Sequence, residues 1–115
     1  MTTPESKVKK AVTKILDAHK VYYFFPATHG YGKSGVPDII ACINSKFVAI
    51  ETKSGNNQPT ALQFKNLKEI LKAGGITFVI NEENINLISE FLNKEQGTGH
   101  LHNYSLEGKL NERWS

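Results

Sequence analysis

Cysteine is all but absent from this chain. Cys42 is the only one, so no disulfide can form within the protein. A fold without cross-links must rest on a hydrophobic core, and 115 residues suffice to bury one as a single domain. A lone thiol in mid-strand reads as a buried, inert group in a reducing compartment, so a cytoplasmic, intracellular location is expected. Long apolar runs are missing too. No stretch approaches the roughly 20 residues that span a bilayer, and the N-terminus lacks the apolar segment of a secretory signal. No membrane partner is expected. Nor is there a strong charge of one sign. Fourteen Lys and Arg against eleven Asp and Glu leave +3, which allows a nucleic-acid partner without establishing one. Repeats and low-complexity tracts are absent.

What is present is charge in an unusual place. Residues 36–43 and 46–53 read as two strands in which Val, Ile, Ala and Phe fill both alternating faces, the pattern of strands covered on both sides. Asp38, Glu51 and Lys53 interrupt that pattern. Charged groups inside such strands are expensive unless they are paired or bind a metal. If Asn44-Ser45 is a two-residue hairpin turn, Asp38 faces Glu51 across the ladder and both side chains share one face. Lys53, two residues on, shares that face as well. Opposed carboxylates about 5 Å apart repel by about 3 kcal/mol at an effective dielectric of 20, so the pair calls for a cation. Two hard oxygen donors with an open, hydrated side suit Mg²⁺ or Mn²⁺ better than zinc. The bland alternative is a carboxylate–lysine ion pair at a sheet edge.

Around this hairpin the pattern is of mixed helix and strand. Thr3 and Pro4 open a helix whose Val8, Ala11, Val12, Ile15, Leu16 and His19 recur at helical spacing. Glu5 projects from the core-facing stripe at the helix start, where it serves either the helix dipole or a site. Residues 22–25 form a short aromatic strand. A glycine-bearing loop with His29, Tyr31, Lys33 and Ser34 follows, built to bring amides and side chains close to phosphates. Thr60 opens a second helix, with Phe64, Leu67, Ile70 and Leu71 inward. Gln63 either closes a capping box with Thr60 or looks toward the sheet from the first turn. Gly74-Gly75 ends that helix, residues 76–80 form a fourth strand parallel to the third, and residues 84–92 a closing helix. The domain is expected over 1–93. The character changes over 94–115, a C-terminal arm with scattered Leu, Tyr104 and Trp114. In that arm His100-Leu101-His102 lacks a third ligand.

At these residues the chain resembles the PD-(D/E)XK nuclease superfamily, through Pro37-Asp38 and Glu51-Thr52-Lys53. More narrowly it is similar to the VRR-NUC branch, in its small stand-alone phage or bacterial form. The lead-in His29-Gly30-Tyr31-Gly32-Lys33-Ser34-Gly35-Val36-Pro37-Asp38 carries the likeness, with Ser54-Gly55, Gln63 and Gly74-Gly75 after it. The resemblance implies an α/β, restriction-endonuclease-like αβββαβ core: a mixed four-stranded central sheet with helices on both faces. It implies Asp38 and Glu51 as metal ligands, with the Thr52 backbone carbonyl and Glu5 as further ones. Lys53 is then the residue that orients water or stabilises charge, and Gln63 assists.

The expected function is a Mg²⁺- or Mn²⁺-dependent DNA endonuclease acting on branched or structured DNA, such as Holliday junctions or flaps, in repair or recombination. Small stand-alone relatives tend to pair their active sites, so a homodimer is expected. His29, Tyr31, Lys33 and Ser34 are the expected nucleic-acid contacts. The alternative is a non-catalytic nucleic-acid-binding module that keeps the fold, and a third reading is a metal-dependent enzyme acting on other substrates.

Overall fold

The computed structural model describes residues 2–27 and 32–98. In chain order these form helix α1 (Pro4–Ala18), strands β1 (Tyr22–Phe24), β2 (Ile39–Ile43) and β3 (Lys46–Thr52), helix α2 (Ala61–Lys72), strand β4 (Ile76–Ile80) and helix α3 (Asn86–Thr98). The four strands make one sheet in the order β1-β2-β3-β4. β1, β2 and β3 run antiparallel to their neighbours, and β4 lies parallel to β3. The sheet is therefore mixed, as expected. No helix among the described residues is long and apolar enough to cross a membrane.

Asn44 and Ser45 both hold positive φ, 49° and 69°, as a type I′ turn demands of its two central residues. A two-residue turn adds no slack. Ile39 therefore pairs with Ile50 and Ile43 with Lys46, the register that sets Asp38 opposite Glu51. Both long helices that open on threonine are closed by reciprocal caps. Thr3 exchanges hydrogen bonds with Ser6, and Thr60 exchanges them with Gln63.

Alternation sorts each strand onto two unequal faces. Ile39, Ala41, Ile43, Val48, Ile50, Phe78 and Ile80 join Val8, Val12 and Leu16 of α1 and Ile88, Phe91 and Leu92 of α3 in one core. On the other face a smaller cluster, Leu67 and Val79 with Leu71 against it, seats α2. A helix about 10 Å across covers roughly two strands spaced 4.8 Å apart, and α2 lies over β4. The β1–β2 half of that face is left open, and two expectations need correction. The hairpin is not covered on both sides: Ile40 is only half-buried and Phe47 is exposed. Cys42, expected to be buried, is exposed for the same reason. The closing helix, expected over 84–92, begins two residues later and runs on through Thr98. Asn84 is engaged in side-chain turns with Asn81 instead of opening the helix, and Glu95 is buried near the far end.

Gly35, in the lead-in to β2, has φ +74°, and a Cβ there would meet Leu62 Cγ at 2.8 Å and the Leu62 backbone carbon at 2.9 Å. Gly32 also has positive φ (+88°), but nothing lies within 4 Å of its missing side chain. Gly35→Ala is therefore expected to destabilise by about 2–4 kcal/mol, because backbone strain and overpacking add. Gly32→Ala should cost only about 1–2 kcal/mol of strain. Urea denaturation of the two variants checks the ranking; equal costs would mean that α2 yields freely at Leu62.

Candidate active site

Three features of the chain converge at the end of the β2–β3 ladder. The I′ turn fixes which residues oppose, the alternation of β3 sends Glu51 and Lys53 to the face that α2 partly covers, and β2 stops at Ile39 so that Asp38 stands just beyond the paired strand. Asp38 then closes the ladder with its side chain. Its Oδ2 accepts the Thr52 backbone N–H at 3.0 Å and the Thr52 hydroxyl at 2.6 Å, while the next amide, Lys53 N–H, turns the other way to Ile80 O at 2.9 Å. Asp38 Oδ1 is left without a hydrogen bond among the described residues.

Glu51 is 1% exposed, and neither of its carboxylate oxygens has a hydrogen-bond partner among the described residues. Lys53 Nζ stands 3.7 Å from Oε2, an ion pair beyond hydrogen-bonding distance. Burial, and then the neighbouring Asp38 charge, push the Glu51 carboxyl up to about 8. Lys53 pulls it down, Glu5 at the start of α1 adds a smaller upward push, and the Asp38 backbone N–H, near the carboxylate but outside hydrogen-bond geometry, a smaller downward one. Glu5 is thus within electrostatic reach of the site from the opposite layer, half-buried in the first helical turn.

An orphaned buried carboxylate with a second carboxylate and an ammonium beside it is a donor set that fits a hard divalent cation. Among the described residues no three His, Cys, Asp or Glu side chains stand close enough to hold an ion by themselves. Two carboxylates must then leave most of the coordination sphere to water or substrate, which is how Mg²⁺ is usually held.

The other expected site residues divide. Gln63 is half-buried in the first turn of α2, and its Oε1 accepts the Thr60 N–H at 2.9 Å. The capping box uses its oxygen and leaves its amide nitrogen without a hydrogen bond among the described residues. Lys33 reaches away to Glu69 on α2, Nζ to Oε1 2.8 Å, and the Ser34 carbonyl accepts from Asn66 Nδ2 at 3.0 Å. His29, Tyr31 and the His100/His102 pair lie outside the described residues.

Several supporting residues escaped the sequence reading. Thr52 was read only for its carbonyl, yet its N–H and hydroxyl fix Asp38. Asn81 donates to Gly55 O at 3.2 Å and Glu82 accepts the Gly55 N–H at 2.9 Å, so the turn that follows Lys53 is pinned from the end of β4. Asn81 itself is held by Asn84. The Asn81-x-x-Asn84 spacing after an apolar strand is a recognisable side-chain turn signal. Asn66, buried on α2, anchors the lead-in loop.

The raised Glu51 value has a measurable consequence. An ordinary glutamate titrates near 4.5. Between that value and about 8 the folded chain holds a proton that the unfolded chain releases, so stability falls as pH rises through this window and levels off above it. In chelator the loss attributable to Glu51 is at most about 5 kcal/mol. Glu51→Gln should flatten the thermal-stability profile between pH 5 and 8 and be the more stable protein at pH 8. A wild-type profile already flat in chelator would show that Glu51 is not held neutral.

No protein-family model and no curated protein matches the sequence. Among solved structures, the chain is similar to a protein named VRR_NUC domain protein, with a TM-score of 0.62 over 84% of this chain and 91% of the other, at 21% identity. Identity that low speaks to architecture alone. The fold of this chain, a mixed four-stranded sheet between helices, is that of the VRR_NUC domain protein.

Proposed function

We propose that this protein is a Mg²⁺- or Mn²⁺-dependent DNA endonuclease whose reaction centre is Asp38, Glu51 and Lys53. The observation that carries the reading is the Glu51 carboxylate, out of water, with neither oxygen in a hydrogen bond of good geometry among the described residues and Asp38 and Lys53 as neighbours. A structural ion pair would be expected to satisfy its carboxylate, whereas this one is left for a cation. The VRR_NUC fold supports the nuclease class.

Asp38 and Glu51 would hold the ion, with the Thr52 carbonyl as a further oxygen donor, while Glu5 acts on the site through its charge alone. Such an ion supplies Lewis acidity, neutralising phosphoryl charge and lowering the pKa of water. The chain's own groups do the rest. Thr52 fixes the Asp38 carboxylate by two hydrogen bonds and so presents Oδ1 in one direction. The Lys53 ammonium, buried to 9% exposure, orients a water and stabilises charge developing on the phosphorane oxygens. The amide nitrogen of Gln63, which makes no hydrogen bond among the described residues, is a donor for a phosphate oxygen or for that water. A branched substrate needs two cuts and one chain supplies one such centre. A two-fold homodimer, paired through the free edge of β1 where Tyr22 is 73% exposed, would present both.

Two measurements test this reading. Asp38→Asn and Glu51→Gln should each abolish Mg²⁺-dependent cleavage across duplex, flap and four-way-junction DNA, a loss of at least about 10³-fold, and should also lose the Mg²⁺-induced rise in melting temperature. Full activity of Asp38→Asn would sink the assignment, and DNA binding without cleavage by the wild type would favour a non-catalytic binding module. The second concerns Lys33. An exposed ion pair is worth about 0–1 kcal/mol, so Lys33 can exchange Glu69 for a phosphate at little cost. Lys33→Ala should weaken DNA binding alike for all sequences and lower the salt slope by about one, and Glu69→Gln should strengthen binding. An unchanged slope would make the pair purely structural.

A further inference from the structure

The lysines of α1 stand where the helix gains nothing from them. Lys7, Lys10 and Lys14 are exposed and fall within an arc of about 60° at about 100° per residue. That arc faces away from Val8, Val12 and Leu16, which enter the core. Spacings of three and four residues set these like charges beside one another, and Lys7 lies near the positive end of the helix dipole. The last turn, where the dipole favours a cation, holds no basic residue. None of the three ammonium groups has an ion-pair or hydrogen-bond partner among the described residues. The acidic residues of α1 do not answer them. Asp17 accepts the Tyr23 hydroxyl at 2.8 Å, and Glu5 is half-buried on the side from which it acts on Glu51. An uncompensated stripe of cations fits an external polyanion.

Two observations place the stripe beside the candidate site. Glu5, in the first turn of α1, is near enough to raise Glu51, and Lys7 follows two residues on. The Lys9 ammonium lies over the Phe25 ring, 4.3 Å from its centroid. Phe25 comes one residue after the Phe24–Ile40 pair of the antiparallel ladder, so it lies toward the end of the sheet where Asp38 stands. From that end Lys7, Lys10 and Lys14 extend about 10 Å along the helix at about 1.5 Å per residue. Three nucleotide steps on one strand advance by about the same length, at about 3.4 Å each. A lipid surface fits less well, because the apolar side of α1 is buried in the core and leaves no flank to enter an acyl layer.

We propose that the outer face of α1 is a nucleic-acid-binding surface separate from Lys33, on which Lys7, Lys10 and Lys14 hold the phosphate backbone of DNA that continues past Asp38 and Glu51. The identity of the polyanion rests on the nuclease reading; the surface itself rests on the placement of the lysines.

The test reads binding to a short labelled DNA duplex by fluorescence anisotropy in chelator, where metal-dependent cleavage is off. The triple variant Lys7→Gln, Lys10→Gln, Lys14→Gln should bind at least about tenfold more weakly and lower the salt slope by about two to three, with no fall in melting temperature. In Mg²⁺ at saturating DNA its single-turnover rate should match the wild type, the loss appearing only in the concentration for half-saturation. A control of equal charge loss, Lys20→Gln, Lys46→Gln, Lys72→Gln, lies toward the hairpin-turn end of the sheet and should keep the wild-type slope. An unchanged slope in the α1 variant, with cleavage by the wild type intact, would overturn the proposal and leave the nuclease reading standing. A lowered slope in a protein that never cleaves would support the surface and sink the nuclease instead. Equal losses in both triple variants would overturn the proposal, since net charge and not the α1 face would then govern binding. Wild-type binding to phosphatidylserine vesicles but not to DNA, lost in the α1 variant, would also overturn it and assign the stripe to a membrane surface. Should the α1 variant fail to fold by circular dichroism, amine acetylation of the wild type decides. DNA should protect Lys7, Lys10 and Lys14 and leave Lys20 and Lys72 reactive; no protection of the three would overturn the proposal.

Discussion

A carboxylate withdrawn from water without a well-formed hydrogen bond is among the costlier things a small domain can build, and among the described residues Glu51 is in that state. The surrounding structure is organised to keep it so. The I′ turn at Asn44-Ser45 admits no register slip, α2 closes part of the face above, and Asp38 is held beside it by Thr52 instead of swinging toward solvent. Were the hairpin to slip by one residue, Glu51 would exchange faces with Ile50, breaking the core and dispersing the charges in one step.

This cost is local and reversible. Protonation relieves it, as does a cation, and the two compete for the same oxygens. On the proposed reading, Asp38 and Glu51 would concentrate affinity for a hard ion on two groups without a full cage of ligands. The fixed parts of the site lie around it: Thr52 on Asp38, and Asn81 and Glu82 on Gly55 in the turn beyond Lys53.

The two faces of the sheet divide the labour. The α1/α3 face carries nearly all of the apolar core and with it the stability of the fold. The α2 face carries a small cluster, the ionisable groups and an open groove. Strain that would be intolerable in the main core is confined to the lightly packed side, where few contacts depend on it. The same thin cover explains why Cys42 and Phe47 meet solvent although their strand neighbours do not.

Much of this was legible in the residues. Asp38, Glu51 and Lys53 stood out because charge breaks an apolar strand at a period of two, and their convergence followed from a two-residue turn, a matter of counting. The helix starts followed from Thr3-Pro4 and from Thr60-x-x-Gln63, since capping is local chemistry written within four residues. The assignment of Gln63's oxygen to the cap, of Lys33 to Glu69 and of Thr52 to Asp38 was settled by distance in space. So were the exposure of Cys42 and the burial of Glu95, because they depend on how wide a helix is relative to the sheet it covers and on where α3 ends. A sequence states which groups repeat on a face; only the packed layers decide which face is covered, and therefore which of those groups are left without water.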